Sequence, residues 1–140
     1  MTVPIDIVTA EKIVHSDDVD ILIAPGRKGQ LGILPGHAPL IATLVPGELI
    51  VRKSDQEYII AISGGFLEVR PDRIIVLADA AERAEEIDIQ RAEDARRRAK
   101  ESLSRSTSPE DAAIAEAALK RAIARLDVAS RVAHRRKSQH

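Results

Sequence analysis

Hydrophobic and polar positions along the 140-residue chain follow two different rhythms. In the first half the rhythm has a period of two. Val3, Ile5 and Ile7 alternate with Pro4 and Asp6, the pattern of a strand with one wet face. VDILIAP, PLIATLV, GELIVR, EYIIAIS, GFLEVR and RIIVLA follow at intervals of roughly ten residues, rich in Val and Ile. Turn chemistry separates them at Pro25-Gly26, Pro35-Gly36, Pro46-Gly47, Ser54-Asp55, Gly64-Gly65 and Pro71-Asp72. Many short strands with regular turn signals predict an antiparallel sandwich or barrel over residues 1–84. Parallel pairing is not expected, because no segment before residue 80 is long enough for a crossover helix.

From Asp88 onward the rhythm becomes helical. Ala92, Ala95, Ala99 and Leu103 recur at spacings of three and four, a narrow apolar stripe. Asp88 is placed to cap this helix, with Ile87 just before it packing back on the first turn. SRSTS interrupts the pattern. Ser108-Pro109-Glu110-Asp111 then restarts it with a capping serine, proline at the first helical position and an acid three residues after the cap. Ile114, Ala118, Ala122, Leu126 and Ala129 mark the inner side of the second helix. The expected unit is a hairpin over residues 85–140, with helices over 88–104 and 109–133 and a basic tail, HRRKSQH. Alanine seams permit close approach but bury little apolar area, so the hairpin's own grip is weak and it is expected to dock on something.

Composition sharpens this division. The formal net charge is -1, yet residues 1–87 carry 8 Lys/Arg against 14 Asp/Glu, and residues 88–140 carry 13 against 8. All seven glycines lie at or before Gly65. The absence of cysteine excludes disulfides, thiolate metal sites and thiol nucleophiles. MTVPIDIVTA lacks the layout of a signal peptide, and no apolar run reaches membrane-spanning length, so a soluble intracellular protein is the expectation.

The first half offers little chemistry. GRKGQLG lacks the GK[ST] ending of a phosphate loop and reads as a β-turn. In ISGGF the serine precedes two glycines, which is not a nucleophile elbow. His37 has no second histidine at ligand spacing and reads as a hydrogen-bonded or contact residue. No metal set, nucleophile or positioned acid–base pair supports an enzyme.

The second half is more suggestive. A hairpin folded about residue 106 sets Arg91 opposite Arg121, and Arg125 opposite Ile87 and Asp88. Arg121 and Arg125 share one helix face, as do Arg91 and Arg98. Guanidiniums gathered near a helix N-terminus, with Glu82 and Asp88 close by, repel one another unless an anion or carboxylates stand among them. The alternative is intrahelical pairing, Asp88–Arg91 and Asp127–Arg131, on a solvated face. Spacing alone leaves both readings open. Nucleic acid is a further rival partner for the basic hairpin. Near-neutral net charge and only two aromatic residues, Tyr58 and Phe66, argue against it, and no nucleic-acid partner is expected.

GQLGILPGHAPL (29–40), ISGGFLEVRPD (62–72) and VLADAAERAEEID (76–88), in this order before an alanine-rich hairpin, closely resemble the epsilon subunit of bacterial F-type ATP synthase. The resemblance covers nearly the whole chain. It implies a ten-stranded β-sandwich followed by two helices. The implied role is a non-catalytic central-stalk subunit at the cytoplasmic face of the bacterial plasma membrane. Such a subunit joins the gamma subunit to the membrane c-ring, restrains ATP hydrolysis, and reaches the alpha/beta catalytic head when its hairpin is extended. No cofactor is implied, but ATP is, as a regulatory ligand. Ile87-Asp88-Ile89-Gln90-Arg91-Ala92 matches the family's I/L-D-x-x-R-A nucleotide motif, and Glu82, Arg98, Arg121 and Arg125 match further ATP-contacting positions. The implied site forms when the hairpin folds back on the sandwich. Gln30, Leu31 and His37 match the rotor-ring contact. Members often carry an acid where this chain has Gln30, so a salt bridge from that position is not expected.

Overall fold

The computed structural model describes the backbone of residues 1–138 and the side chains of residues 1–130. The chain folds as two compact units, Met1–Arg83 and Ala84–His140.

The first unit holds ten strands: β1 (Val3–Val8), β2 (Ile13–Val19), β3 (Ile21–Gly26), β4 (Gly29–Ile33), β5 (Leu40–Leu44), β6 (Gly47–Lys53), β7 (Gln56–Ile62), β8 (Gly65–Val69), β9 (Ile74–Ala78) and β10 (Ala81–Arg83). Their hydrogen-bonded order is β10-β7-β6-β3-β5-β8-β9-β1-β2, with β4 pairing β3 off this path. β3 and β5 are joined through the single register pair Gly26↔Leu44. The path therefore bends there into two layers that face each other as a sandwich. The period-two positions fill the space between: Ile5, Ile7, Leu22, Leu49, Val51, Ile60, Leu67, Ile74 and Val76 are all at most 1% exposed.

Three strands escape the hydrophobic rhythm. β2 reads IVHSDDV, and its inward positions are His15, the half-buried Asp17 and Val19, which hide the alternation. VDILIAP is accordingly not one strand. It is divided at Asp20, whose N–H donates to the Arg52 carbonyl oxygen at 2.8 Å and whose carboxylate accepts the Ser54 N–H at 2.7 Å. β4, GQLGI, is too rich in glycine to show a pattern, and β10 is three residues long. The turn expected at Pro25-Gly26 falls two residues later. Pro25 and Gly26 belong to β3, pairing with Gln30 and Gly29 across a two-residue Arg27-Lys28 loop.

The expectation of purely antiparallel pairing is corrected at one place. β1 and β9 run parallel, with Ile5↔Ile74 through Val8↔Leu77 in register. The crossover requirement applies to strands close in sequence. Here seven intervening strands make the connection, so no helix is needed.

The second unit opens with a short 3-10 turn, Ala84–Glu86, followed by α1 (Ile89–Ser104) and α2 (Pro109–Ser138). Asp88 caps α1, its Oδ1 accepting the Arg91 N–H at 3.1 Å. Ser108 caps α2 in the same way, its Oγ accepting from Asp111 N–H at 3.1 Å. The two helices pack along each other. Ala92 and Ala99 are buried on α1, and Ala115, Ala122, Val128 and Ala129 on α2. Two expectations are corrected. Ile114 is 69% exposed, and the neighbouring Ala115 takes the seam position, as a close alanine seam favours the smaller side chain. α2 also continues past Ala133 to Ser138, because HRRKS offers no glycine or proline to stop it. The side chain of Arg131, and hence the expected Asp127–Arg131 pair, lies outside the described residues, as do the last two residues of the tail. Among the described residues no helix is long and apolar enough to cross a membrane.

Candidate functional site

Four residues of α1 and one of α2 frame an open groove of about 410 Å3: Arg91, Asp94, Ala95, Arg98 and Arg125. Arg91, Asp94, Ala95 and Arg98 recur at spacings of three and four, so a single stripe of α1 forms one wall. Arg125 enters from α2, half-buried, while Arg91 and Arg98 are exposed. The groove's volume lies in the range of small-molecule pockets, about 300–1,000 Å3. Three guanidiniums around one groove repel each other and favour an anionic occupant.

One carboxylate stands in the wall. Asp94 accepts a hydrogen bond from Gln90 Nε2 at 3.2 Å and forms an ion pair with Arg97. It offsets part of the positive charge but leaves an excess of cations in the lining. Asp94 is not among the residues that the sequence pattern marks, whereas Ala95 belongs to the apolar stripe of α1. Asp94 lies three residues after Arg91 and four before Arg98, which was the available signal.

The remaining expected site residues fall as follows. Asp88 holds the first turn of α1 just before the groove, so its carboxylate is engaged in capping. The expected Asp88–Arg91 pair is thus a carboxylate-to-backbone bond. Ile87 and Ala92 are buried and shape the start of the helix. Arg121, one turn before Arg125, is exposed and does not line the groove. The groove thus takes Arg98 where the fold-over geometry set Arg121 against Arg91. Glu82 stands half-buried on β10 in the sandwich unit, in register with Ala61.

The second set of expected contacts lies on β4 and the turn after it. Gln30 is exposed, and Leu31 is half-buried against the core. His37 Nδ1 lies 2.7 Å from the Ala38 carbonyl oxygen, and its backbone N–H donates to the Leu34 carbonyl oxygen at 3.1 Å. His37 is therefore a hydrogen-bonded residue that shapes a turn. No group of three or more His, Asp or Glu side chains able to hold a metal occurs among the described residues.

A third surface belongs to the layer β5-β8-β9-β1-β2. Thr43, Phe66, Leu77 and Val8 form one cross-strand row, and Ile41, Glu68, Ile75 and Asp6 the next. Ile41 is 76% exposed, Phe66 55% and Leu77 48%. Large apolar side chains adjacent on one outer sheet face mark an interaction surface.

Two family models divide the chain between them. The beta-sandwich domain of the ATP synthase Delta/Epsilon chain matches residues 2–84, and the long alpha-helix domain of the same chain matches residues 85–130. The chain belongs to the ATP synthase Delta/Epsilon family. An ATP synthase epsilon chain from Dehalococcoides mccartyi is 54% identical over 128 residues, covering 91% of both chains. One from Bacillus velezensis is 46% identical, covering 91% of this chain and 97% of its own. A chain in a Euglena gracilis mitochondrial ATP synthase structure containing OSCP, F1 and the c-ring superposes with a TM-score of 0.77 at 23% identity, covering 87% of this chain and 78% of that one. At that identity the likeness speaks for the fold. An epsilon-type chain is one subunit of the F-type ATP synthase and is not itself an enzyme.

Proposed function

We propose that this epsilon-type chain is a non-catalytic central-stalk subunit that couples gamma to the c-ring and restrains ATP hydrolysis through a nucleotide-sensing hairpin. Family membership across both units supports the stalk role. The observation that carries the sensing role is the groove in which Arg91, Arg98 and Arg125 surround one open space. The proposed occupant is the polyphosphate of ATP, with Ile87, Asp88 and Ala92 forming the helix start beside it and Arg121 as a further contact. Each arginine–phosphate bond is charge-assisted and contributes about 1.5–3 kcal/mol. No cofactor is required.

The apolar outer rows around Ile41, Phe66 and Leu77 are the proposed seat for gamma. Gln30, Leu31 and His37 are the proposed contact with the c-ring, made by hydrogen bonding and apolar packing in place of a salt bridge. The basic second helix is the proposed contact with the alpha/beta head. The subunit would then sit peripherally at the cytoplasmic face of the bacterial plasma membrane. Calorimetry of the isolated chain with ATP tests the sensing role. Saturable binding that weakens roughly ten- to a hundredfold in Arg125→Ala supports it; no heat at millimolar ATP contradicts it.

A further inference from the structure

The sheet path begins at β10 and ends at β2, and one side chain joins these two ends. Arg83 on β10 donates through Nη2 to the Val14 carbonyl oxygen on β2 at 3.1 Å. The same Nη2 lies 3.4 Å from Nδ1 of His15. His15 is buried, 8% exposed, the only polar or charged residue so buried among the described ones. Its ring lies 5.2 Å from that of Tyr58 on β7, tilted by 44°, and Ile7 faces it from β1. Its Nε2 is buried with no hydrogen-bond partner among the described residues.

We propose that the seam between β2 and β10 is a proton-sensitive closure: neutral His15 receives Arg83 and holds the seam shut, and protonated His15 expels Arg83 and opens it. The guanidinium is always protonated, so Nδ1 serves as the acceptor and the imidazole proton sits on Nε2. A proton added at Nδ1 would point at Arg83 and set two positive charges at contact distance in a buried place. Every element around the ring bears on this. Arg83 on β10 and Lys53 on β6 oppose the imidazolium, and Tyr58 on β7 and Ile7 on β1 offer it no counter-charge. Asp17, two residues along β2, favours it, but its Oδ1 already accepts from Lys53 Nζ at 2.7 Å. Burial first, and Arg83 second, push His15 below its ordinary value of 6.5.

The sign follows. A histidine depressed in the closed state stabilises closure fully above 6.5 and loses that contribution as pH falls from 6.5 toward the lowered value. Asp17 is held below the usual carboxylate range by Lys53, so its own titration lies in a separate, more acidic window. With Arg83 expelled, β10 loses its hydrogen bond to the Val14 carbonyl oxygen on β2 and retains its ladder to β7, Ala81↔Ile62 through Arg83↔Ile60. Ala84, the first residue of the helical unit, follows β10 directly, so the seam governs the segment that joins the two units.

Nuclear magnetic resonance of the full chain between pH 8 and 5 tests this. The expected result is a His15 ring titration with a midpoint below 6.5. The amides of Val14 and His15 and the Arg83 Nε resonance should shift at that same midpoint. Amide exchange along β2, corrected for intrinsic rates, should show the open population growing by up to about tenfold per pH unit below 6.5. His15→Gln keeps an acceptor for Arg83 and cannot titrate, so its seam should remain closed and insensitive to pH over this range. A ring midpoint at or above 6.5, or seam resonances that ignore the ring, would overturn the proposal, as would a His15→Gln chain with the parent's pH response. If His15→Gln does not fold, the parent titration decides alone.

Discussion

Gly65 enters β8 at φ 145°, a conformation that side chains rarely adopt. A Cβ there would collide with the Leu77 carbonyl oxygen and the Ala78 Cα on β9. Backbone cannot yield as a flexible side chain can, so Gly65→Ala should destabilise the sandwich by about 2–4 kcal/mol. Chemical denaturation of the parent and variant measures it. Asp88 works on a smaller scale. Its carboxylate satisfies the Arg91 N–H, and Asp88→Ala should cost about 1 kcal/mol of helical stability, visible as earlier loss of helical circular dichroism on heating. The pair Gly64-Gly65 is legible as a break between two strands, but nothing in the sequence tells which carbonyl Gly65 approaches. The caps, by contrast, were fully legible, because a cap is a local arrangement of residues that adjoin in sequence.

At the scale of elements, the outer face of β5, β8 and β9 presents Ile41, Phe66 and Leu77 side by side. If this face seats gamma, Phe66→Ser should weaken capture by gamma about tenfold or more while leaving the melting temperature nearly unchanged, since the side chain is exposed. Loss of melting temperature with unchanged capture would show that the face is structural. Strands with clean alternation were legible because one buried layer forces it. β2 was not, since His15 and Asp17 occupy its inward positions and gain partners from β10 and β6 that no local pattern announces. The parallel β1–β9 pair was missed for a related reason: strand pairing across the whole domain depends on topology. In the hairpin, helical spacing placed Arg91 and Arg98 on one stripe correctly. It does not place Ile114, because the rotation of α2 about its axis is decided by which small residues enter the seam.

At the scale of the whole molecule, a sandwich proposed to bind the rotor is joined to a hairpin whose arginines line a groove suited to an anion. Deleting residues 109–140 removes α2 and with it Arg125, so ATP hydrolysis by the assembled enzyme should rise while assembly with gamma and the c-ring persists. Unchanged hydrolysis over a range of ATP concentrations would mean that the hairpin does not regulate. The most direct measurement is the melting temperature of the isolated chain against ATP concentration, for the parent, Arg91→Ala, Arg125→Ala and the control Arg96→Ala, which alters an arginine outside the groove. Ligand binding to the folded state stabilises it by about 2.7 kcal/mol at a hundredfold excess over Kd. Nucleotide sensing by the groove predicts a rising parent curve, the same curve for Arg96→Ala, and curves displaced to roughly ten- to a hundredfold higher ATP for the two groove variants. A flat parent curve at millimolar ATP, or equal displacement in all three variants, would contradict it.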